Sequence, residues 1–127
     1  MFILYSSTAG DPMLLDSPRG LREFDREFRA FLKSSLTRTS FPAITTGDPG
    51  PESEFLAGLR VEKIQGPSQL RLADDRWLEL TGSAHDLAQL CKALSELDDG
   101  DHHHWYTSPV SLIIEADEWR ANRENAP

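Results

Sequence analysis

The sequence lacks most of the features that mark an enzyme, a secreted protein or a membrane protein. Its 127 residues include one cysteine, Cys91, which excludes an internal disulfide framework and indicates a reducing compartment. There is no glycine-rich phosphate loop, dinucleotide-binding fingerprint, H-E-x-x-H motif or C-x-x-C pair. The N-terminal stretch MFILYSSTAGDP is too short for a signal peptide or a membrane span and predicts a first β-strand. We therefore predict a cytoplasmic protein with no catalytic residue.

Positive charge is also scarce. Against 21 acidic residues the chain has 13 basic ones, which makes a formal charge of −8 at pH 7. Such a balance repels phosphate backbones and argues against a nucleic-acid partner. It is suited to docking against a basic protein. With 39% hydrophobic and 27% charged residues, the composition is typical of one globular domain with a hydrophobic core.

Two segments have the pattern of capped amphipathic helices. The first follows Ser17, a favourable N-cap, with Pro18 at the first helical position. The second follows Ser83, with Asp86 three residues later as in a capping box. Both segments carry apolar residues at helical spacing: Leu21, Phe24, Phe28, Phe31 and Leu32 in the first, Leu87, Leu90, Cys91, Leu94 and Leu97 in the second. Each segment predicts a helix with one buried face.

The two helices fall in similar surroundings. A shift of 66 residues places Ser17 on Ser83 and Phe28 on Leu94. The stretch QLRLADDRWLELTGS before the second helix has the pattern strand, turn, strand, and ILYSSTAGDPMLLDS before the first is similar. Alternating segments also follow both helices. This order favours an internal duplication of a ββαββ unit.

The predicted fold class is α+β, with an antiparallel sheet covered on one face by two helices and mostly exposed on the other. We predict a single domain over 1–127, made of pseudo-repeats 1–65 and 66–119 and a flexible tail over 120–127. Residues 36–54 are rich in Pro, Gly, Ser and Thr and predict a long loop with one short strand from Phe41 to Thr45.

The stretch DDGDHHHWYTSP, residues 98–109, has the strongest resemblance to a chemical site. On a strand, His102 and His104 point to one face and His103 to the other. Two imidazoles at this spacing can bind a divalent transition metal, and Asp101 can add an oxygen ligand. Proton transfer by the histidines is a second possibility. The plainest interpretation is an exposed strand face on which the imidazoles stack against neighbouring aromatic rings.

The same stretch contains candidate residues for binding a protein. His103, Trp105 and Tyr106 are predicted as anchors on an open sheet face, surrounded by a rim that includes Asp99 and Asp101.

The first helix adds a stripe of basic residues. Arg22, Arg26 and Arg29 lie on the side of the helix opposite its apolar stripe. They predict either a docking face for an anionic partner or an ordinary solvated helix surface.

The second half resembles a known group of proteins. The order strand, helix LTGSAHDLAQLCKAL, strand HHHW and strand SLIIEADEW resembles that of small bacterial immunity proteins that accompany polymorphic toxins. The resemblance covers roughly residues 70–119 and assigns no functional residue. It implies a non-catalytic inhibitor that binds a cognate toxin, for which a basic toxin domain fits the acidic composition.

The expected function is therefore that of a cytoplasmic protein-interaction protein without a cofactor, of the immunity type. Two alternatives are left open. One is a metal-binding protein or metal-dependent enzyme that uses His102 and His104. The other is a homodimeric scaffold in which exposed sheet edges of two copies pair.

Overall fold

A computed structural model describes residues 1–7, 10–47 and 53–124. Residues 123 and 124 are described by their backbone alone. The strands of the first half are β1 (Ile3–Ser7), β2 (Gly10–Asp16), β3 (Arg38–Pro42), β4 (Ser53–Phe55) and β5 (Gly58–Lys63). The strands of the second half are β6 (Gln69–Leu72), β7 (Trp77–Gly82), β8 (His102–Trp105), β9 (Ser108–Pro109) and β10 (Leu112–Ala116). The helices are α1 (Pro18–Lys33), α2 (Ala84–Glu96) and α3 (Glu118–Glu124). None of the described helices has the length and apolar character needed to cross a membrane.

The α+β class is confirmed, but the strands form two mixed sheets instead of one antiparallel sheet. Sheet A has the order β4-β1-β2-β10-β8, and sheet B has the order β3-β5-β7-β6-β9. Each sheet has a parallel pair at its centre, β2 with β10 in sheet A and β5 with β7 in sheet B. The alternation of apolar residues along a strand defines its buried face but not its neighbour, so the sequence pattern did not reveal these parallel pairs.

Each half of the chain contributes one hairpin to each sheet. Strands β1 and β2 join β8 and β10 in sheet A, while β6 and β7 join β3 and β5 in sheet B. The registers correspond: Ala116 pairs with Asp16, the residue before the N-cap of α1, and Lys63 pairs with Gly82, the residue before the N-cap of α2. The two halves thus share the predicted ββαββ order with an exchange of hairpins between sheets. Descent from a duplication stays a prediction.

Both predicted helix starts are confirmed. The Ser17 hydroxyl accepts the N–H of Gly20 at 3.0 Å, and the Ser83 hydroxyl accepts the N–H of Asp86 at 3.1 Å. Pro18 lies in the first turn of α1, where its missing N–H leaves no hydrogen bond unmade. These caps orient each helix directly after its strand, so that the apolar stripe faces the core.

One continuous core lies between the two sheets and the pair α1 and α2. It contains the apolar residues from the inner face of both sheets and the predicted helix stripes, among them Leu4, Leu14, Phe24, Phe28, Leu59, Val61, Leu78, Leu90, Leu94, Leu112 and Ile114. Burial of each such side chain contributes roughly 1.5–3 kcal/mol.

The outer faces of the two sheets differ. On sheet A a second apolar cluster contains Ile3, Tyr5, Leu15 and Ala121, so that α3 covers part of this face. Sheet B has no such helix in the described residues, and its outer face carries the ion pairs Arg38–Glu62, Arg60–Asp75 and Arg71–Glu79. The prediction of one open face therefore holds for sheet B.

The first part of the predicted tail over 120–127 belongs to α3, which ends at Glu124. Ala121 is buried, and the Arg120 guanidinium donates a hydrogen bond to Glu115 at 3.2 Å. The physical reason is the apolar outer face of β1 and β2, which has to be shielded from water. Residues 125–127 lie outside the described residues.

The long loop after α1 contains a strand, as predicted, but at a different position. β3 begins at Arg38 instead of Phe41, because its ladder with β5 extends back to the pair Arg38 and Glu62. Ile44 forms an isolated parallel bridge with Ile3 of β1. Residues 48–52 of the predicted loop lie outside the described part of the chain.

Candidate protein-binding edge

The histidine run forms β8, the last strand of sheet A. Its described partner is β10, with His102 opposite Glu115 and His104 opposite Ile113. Just before β8, the N–H of Ala116 donates to the carbonyl of Asp101 at 2.9 Å.

This hydrogen bond determines which backbone groups of β8 are exposed. In an antiparallel ladder, hydrogen-bonded and non-hydrogen-bonded pairs alternate. Because the N–H of Ala116 donates to the carbonyl of Asp101 directly opposite, His103 and Trp105 direct their backbone groups to β10. The N–H and C=O groups of His102 and His104 therefore point to the open side of the strand.

The side chains of β8 lie on two faces, as the alternation predicts. On the outer face, the ring centroids of His102 and His104 are 5.4 Å apart, and those of His104 and Tyr106 are 6.1 Å apart with nearly parallel planes. All three rings are exposed, Tyr106 to 81%. We call His102, His104 and Tyr106 the ring row.

The inner face of β8 corrects one prediction. Trp105 is only 6% exposed, lies opposite Leu112 and belongs to the core. It therefore stabilises the fold and does not serve as an exposed anchor for a partner. The physical reason is that period-two alternation places Trp105 on the face that packs against the core, whereas its neighbour Tyr106 projects into solvent.

His103 shares the inner side with Trp105 but is exposed, because it lies at the rim of the sheet. Between β8 and α2 there is a groove of about 170 Å³. Its lining consists of Gln89, Lys92, Ala93, Glu96, Leu97 and His103. Ala93 and Leu97 are largely buried and form the apolar part of this lining. Sequence reasoning missed the groove, since it requires the packing of α2 beside an edge strand.

The predicted acidic residues organise the loop that precedes β8. The Asp99 carboxylate accepts the N–H of Glu118 at 2.8 Å, at the start of α3. The Asp101 carboxylate accepts the N–H of Asp98 at 3.1 Å, across a turn in which Gly100 has a φ of 90°. Both carboxylates remain exposed and add negative charge at this end of sheet A.

The basic stripe of α1 is only partly near this site. Arg22 lies 3.6 Å from the Asp98 carboxylate, which brings it to the acidic loop. Arg29 instead donates to both carboxylate oxygens of Asp25, at 2.9 and 3.0 Å. Arg26 is exposed on the same helix. Two of the three arginines are thus engaged by acidic groups of the chain itself.

The predicted metal ligands come together only in part. His102 and His104 are neighbours, yet no group of three or more His, Cys, Asp or Glu side chains in the described residues is placed to hold a metal ion. The Asp101 carboxylate is oriented by its bond to Asp98. Burial raises the pKa of Cys91 to about 11, which disfavours the thiolate form that a metal requires.

A further aromatic residue near this end of sheet A was not predicted. Trp119 is 69% exposed and follows Glu118, whose N–H is held by Asp99. The sequence signal for it was weak because the polar residues after Trp119 favoured a tail instead of a helix.

Comparisons with known protein families, with curated proteins and with solved structures find no match to this chain.

Proposed function

We propose that this protein is a non-catalytic inhibitor of the bacterial immunity type, which binds a basic toxin domain in the cytoplasm through the β8 edge. The observation that carries the proposal is the ring row beside an acidic loop, on a strand edge that pairs with no strand among the described residues. An exposed ring row has no role in the core, whereas aromatic residues are enriched at the centres of protein interfaces.

Charge supports the same assignment. Asp98, Asp99 and Asp101 precede the strand, and the whole chain carries −8. An acidic rim increases the rate of encounter with a basic partner and disfavours acidic competitors. Arg22 offsets only part of this charge, because its ion pair is with Asp98 and the loop also carries Asp99 and Asp101.

The experiment is capture followed by neutralisation. The immobilised protein is exposed to lysate of its own cells at low salt, and each captured protein is expressed alone and together with this chain. We expect a captured protein that stops growth when expressed alone and is neutralised by co-expression. Failure of every captured protein to meet both conditions would count against the proposed function.

Matched variants connect the function to the ring row. We expect Tyr106→Ala to weaken binding of the captured toxin by about tenfold or more, as at interface hot spots. Leu72→Ala is the control, since Leu72 is 45% exposed and lies on sheet B. Equal losses in both variants would argue against the β8 edge as the binding site.

Metal binding is a second candidate, favoured by the 5.4 Å separation of the His102 and His104 rings. It predicts about one equivalent of zinc, nickel or iron in the purified protein and a rise in melting temperature when that metal is added. His102→Ala and His104→Ala would each abolish both effects. Unchanged binding of the toxin by the original chain after metal removal would separate the two candidates.

A further inference from the structure

We infer that the open edge of β8 receives an extended, lysine- or arginine-bearing segment of the protein partner, which adds a strand to sheet A. This inference rests on the proposed function and specifies how the partner is recognised. Four observations support it. These are the outward-pointing backbone groups of His102 and His104, the lack of proline, lysine and arginine in β8, the groove beside α2 and the local charge.

The backbone groups provide the first argument. The N–H and C=O groups of His102 and His104 point away from β10, as the bond between Ala116 and Asp101 requires. β8 is four residues long, which corresponds to about 13 Å of strand. An added strand would pair with these groups, and such main-chain bonds supply affinity in strand addition.

The second argument is a comparison with the other edges. Natural proteins protect exposed strand edges with proline or with charged residues, especially lysine. The edge strand β3 carries Arg38 and ends at Pro42, and the edge strand β9 contains Pro109. β8 contains neither proline nor lysine or arginine, and β4, the other edge strand of sheet A, carries the charged residue Glu54. β8 is therefore an edge that the sequence leaves open to pairing.

The groove gives the third argument. Side chains of an added strand alternate between two faces, so one set would point toward α2 and the other toward the ring row. The groove of about 170 Å³ presents Ala93 and Leu97 to the first set. Cavities of about 150 Å³ hold a molecule of benzene size, so one aliphatic side chain fits here.

The negative charge around β8 favours a basic segment as the added strand. Asp98, Asp99 and Asp101 lie at the start of β8 and supply the negative charge, whereas Lys92 and Glu96 of the groove lining offset each other. A second copy of this chain would bring no lysine or arginine on its own β8 and would add another charge of −8. A segment with alternating basic and aliphatic residues matches both the charge and the groove.

The probe is an acetylated and amidated hexapeptide of alternating lysine and valine, titrated into the full chain labelled with ¹⁵N. We expect amide shifts at β8 and at Ala93 and Leu97, and slower hydrogen exchange at His102 and His104. The hexapeptide with glutamate in place of lysine should bind at least about tenfold more weakly, since its charges face the acidic loop. Two further lysine–valine peptides carry N-methyl groups on alternate amides, one on its lysine residues and the other on its valine residues. Only one of these sets of N–H groups would pair with β8, so only one of the two peptides should lose binding.

The matched variants are His104→Pro and Ser40→Pro. Ser40 is the counterpart of His104 on β3, because the N–H of Lys63 donates to the carbonyl of Thr37 just as that of Ala116 donates to Asp101. Both substitutions remove an N–H that points away from the sheet, where proline is tolerated. We expect His104→Pro to lower the peptide affinity at least about tenfold and Ser40→Pro to change it by less than about twofold.

Several results would overturn the inference. These are the absence of peptide binding, equal binding of the lysine and glutamate peptides, or amide shifts confined to sheet B. Protection of His102 and His104 that rises with protein concentration alone would assign the edge to a second copy. If His104→Pro still neutralised the captured toxin fully, the strand-addition inference would fail while the proposed function stood. If the peptide bound at β8 but no captured toxin was neutralised, the proposed function would fail while the strand-addition inference stood.

Discussion

The carboxylate of Asp16 occupies the space that a side chain at Gly20 would need. A Cβ built on Gly20 would lie 2.2 Å from both Cγ and Oδ2 of Asp16. Asp16 is only 4% exposed, and its Oδ1 accepts the N–H of Ser17 at 2.8 Å, so the carboxylate has little room to move. The first turn of α1 is therefore built around the absence of a side chain at this position.

We expect Gly20→Ala to lower the free energy of unfolding by about 1–3 kcal/mol, because overpacking outweighs the better helix propensity of alanine. Urea denaturation measures the change. In an Asp16→Ala background the same substitution should be neutral or stabilising, since the colliding carboxylate is gone. A similar loss in both backgrounds would contradict the collision.

The buried carboxylate also predicts a pH dependence. Burial raises the pKa of Asp16 above its ordinary value of 3.8. The folded state therefore binds this proton more tightly than the unfolded state, and the stability that results is present below 3.8 and lost as the pH rises through the raised pKa. We therefore expect the free energy of unfolding of Asp16→Asn, relative to that of the original chain, to rise from pH 3 to pH 7. Urea unfolding of both proteins at pH 3 and pH 7 measures this difference. A difference that stayed constant or decreased with pH would contradict the prediction.

The thiol of Cys91 should be unreactive in the folded protein. Burial, helped by the charge of Asp25, raises the pKa of Cys91 from 9.0 to about 11. At pH 8 only roughly one thiol in a thousand is then ionised, and access is restricted as well. We expect an aromatic disulfide reagent to label the native protein at least about 100-fold more slowly than the urea-unfolded protein. Rapid native labelling would show that α1 and α2 separate readily.

Two adjacent aromatic residues should separate stability from binding. Trp105→Ala should lower the free energy of unfolding by about 3–5 kcal/mol, because the indole is part of the core. Tyr106→Ala should change it by less than about 0.5 kcal/mol, because the phenol ring is exposed. Chemical denaturation of both variants distinguishes them. Comparable losses in stability would mean that the ring row supports the fold.

Helix α3 should contribute measurably to the stability of sheet A. Ala121→Asp places a charge against Ile3, Tyr5 and Leu15, and we expect a loss of about 2–4 kcal/mol. Asn122→Asp is the matched control, since Asn122 is exposed on the same helix and should change stability by less than about 0.5 kcal/mol. Thermal unfolding measures both. Equal effects would indicate that α3 is not packed on the sheet in solution.

Local chemistry explains which features could be predicted from the sequence. The N-cap hydrogen bonds of Ser17 and Ser83 lie within single helical turns, so residue type and spacing were sufficient to locate both helix starts. The alternation in HHHW likewise placed His102 and His104 on one face, because a strand has a period of two residues. The helix stripes and the α+β class followed from the same periodicities.

Only the tertiary structure decided how these elements combine. The exchange of hairpins made β8 an edge strand, and the packing of α2 beside it created the groove at Ala93 and Leu97. The burial of Trp105 and the docking of α3 also depend on segments distant in the chain. Residue spacing encodes the period and the caps of an element, whereas neighbours across a sheet are selected by the free energy of the whole core, which no local pattern contains.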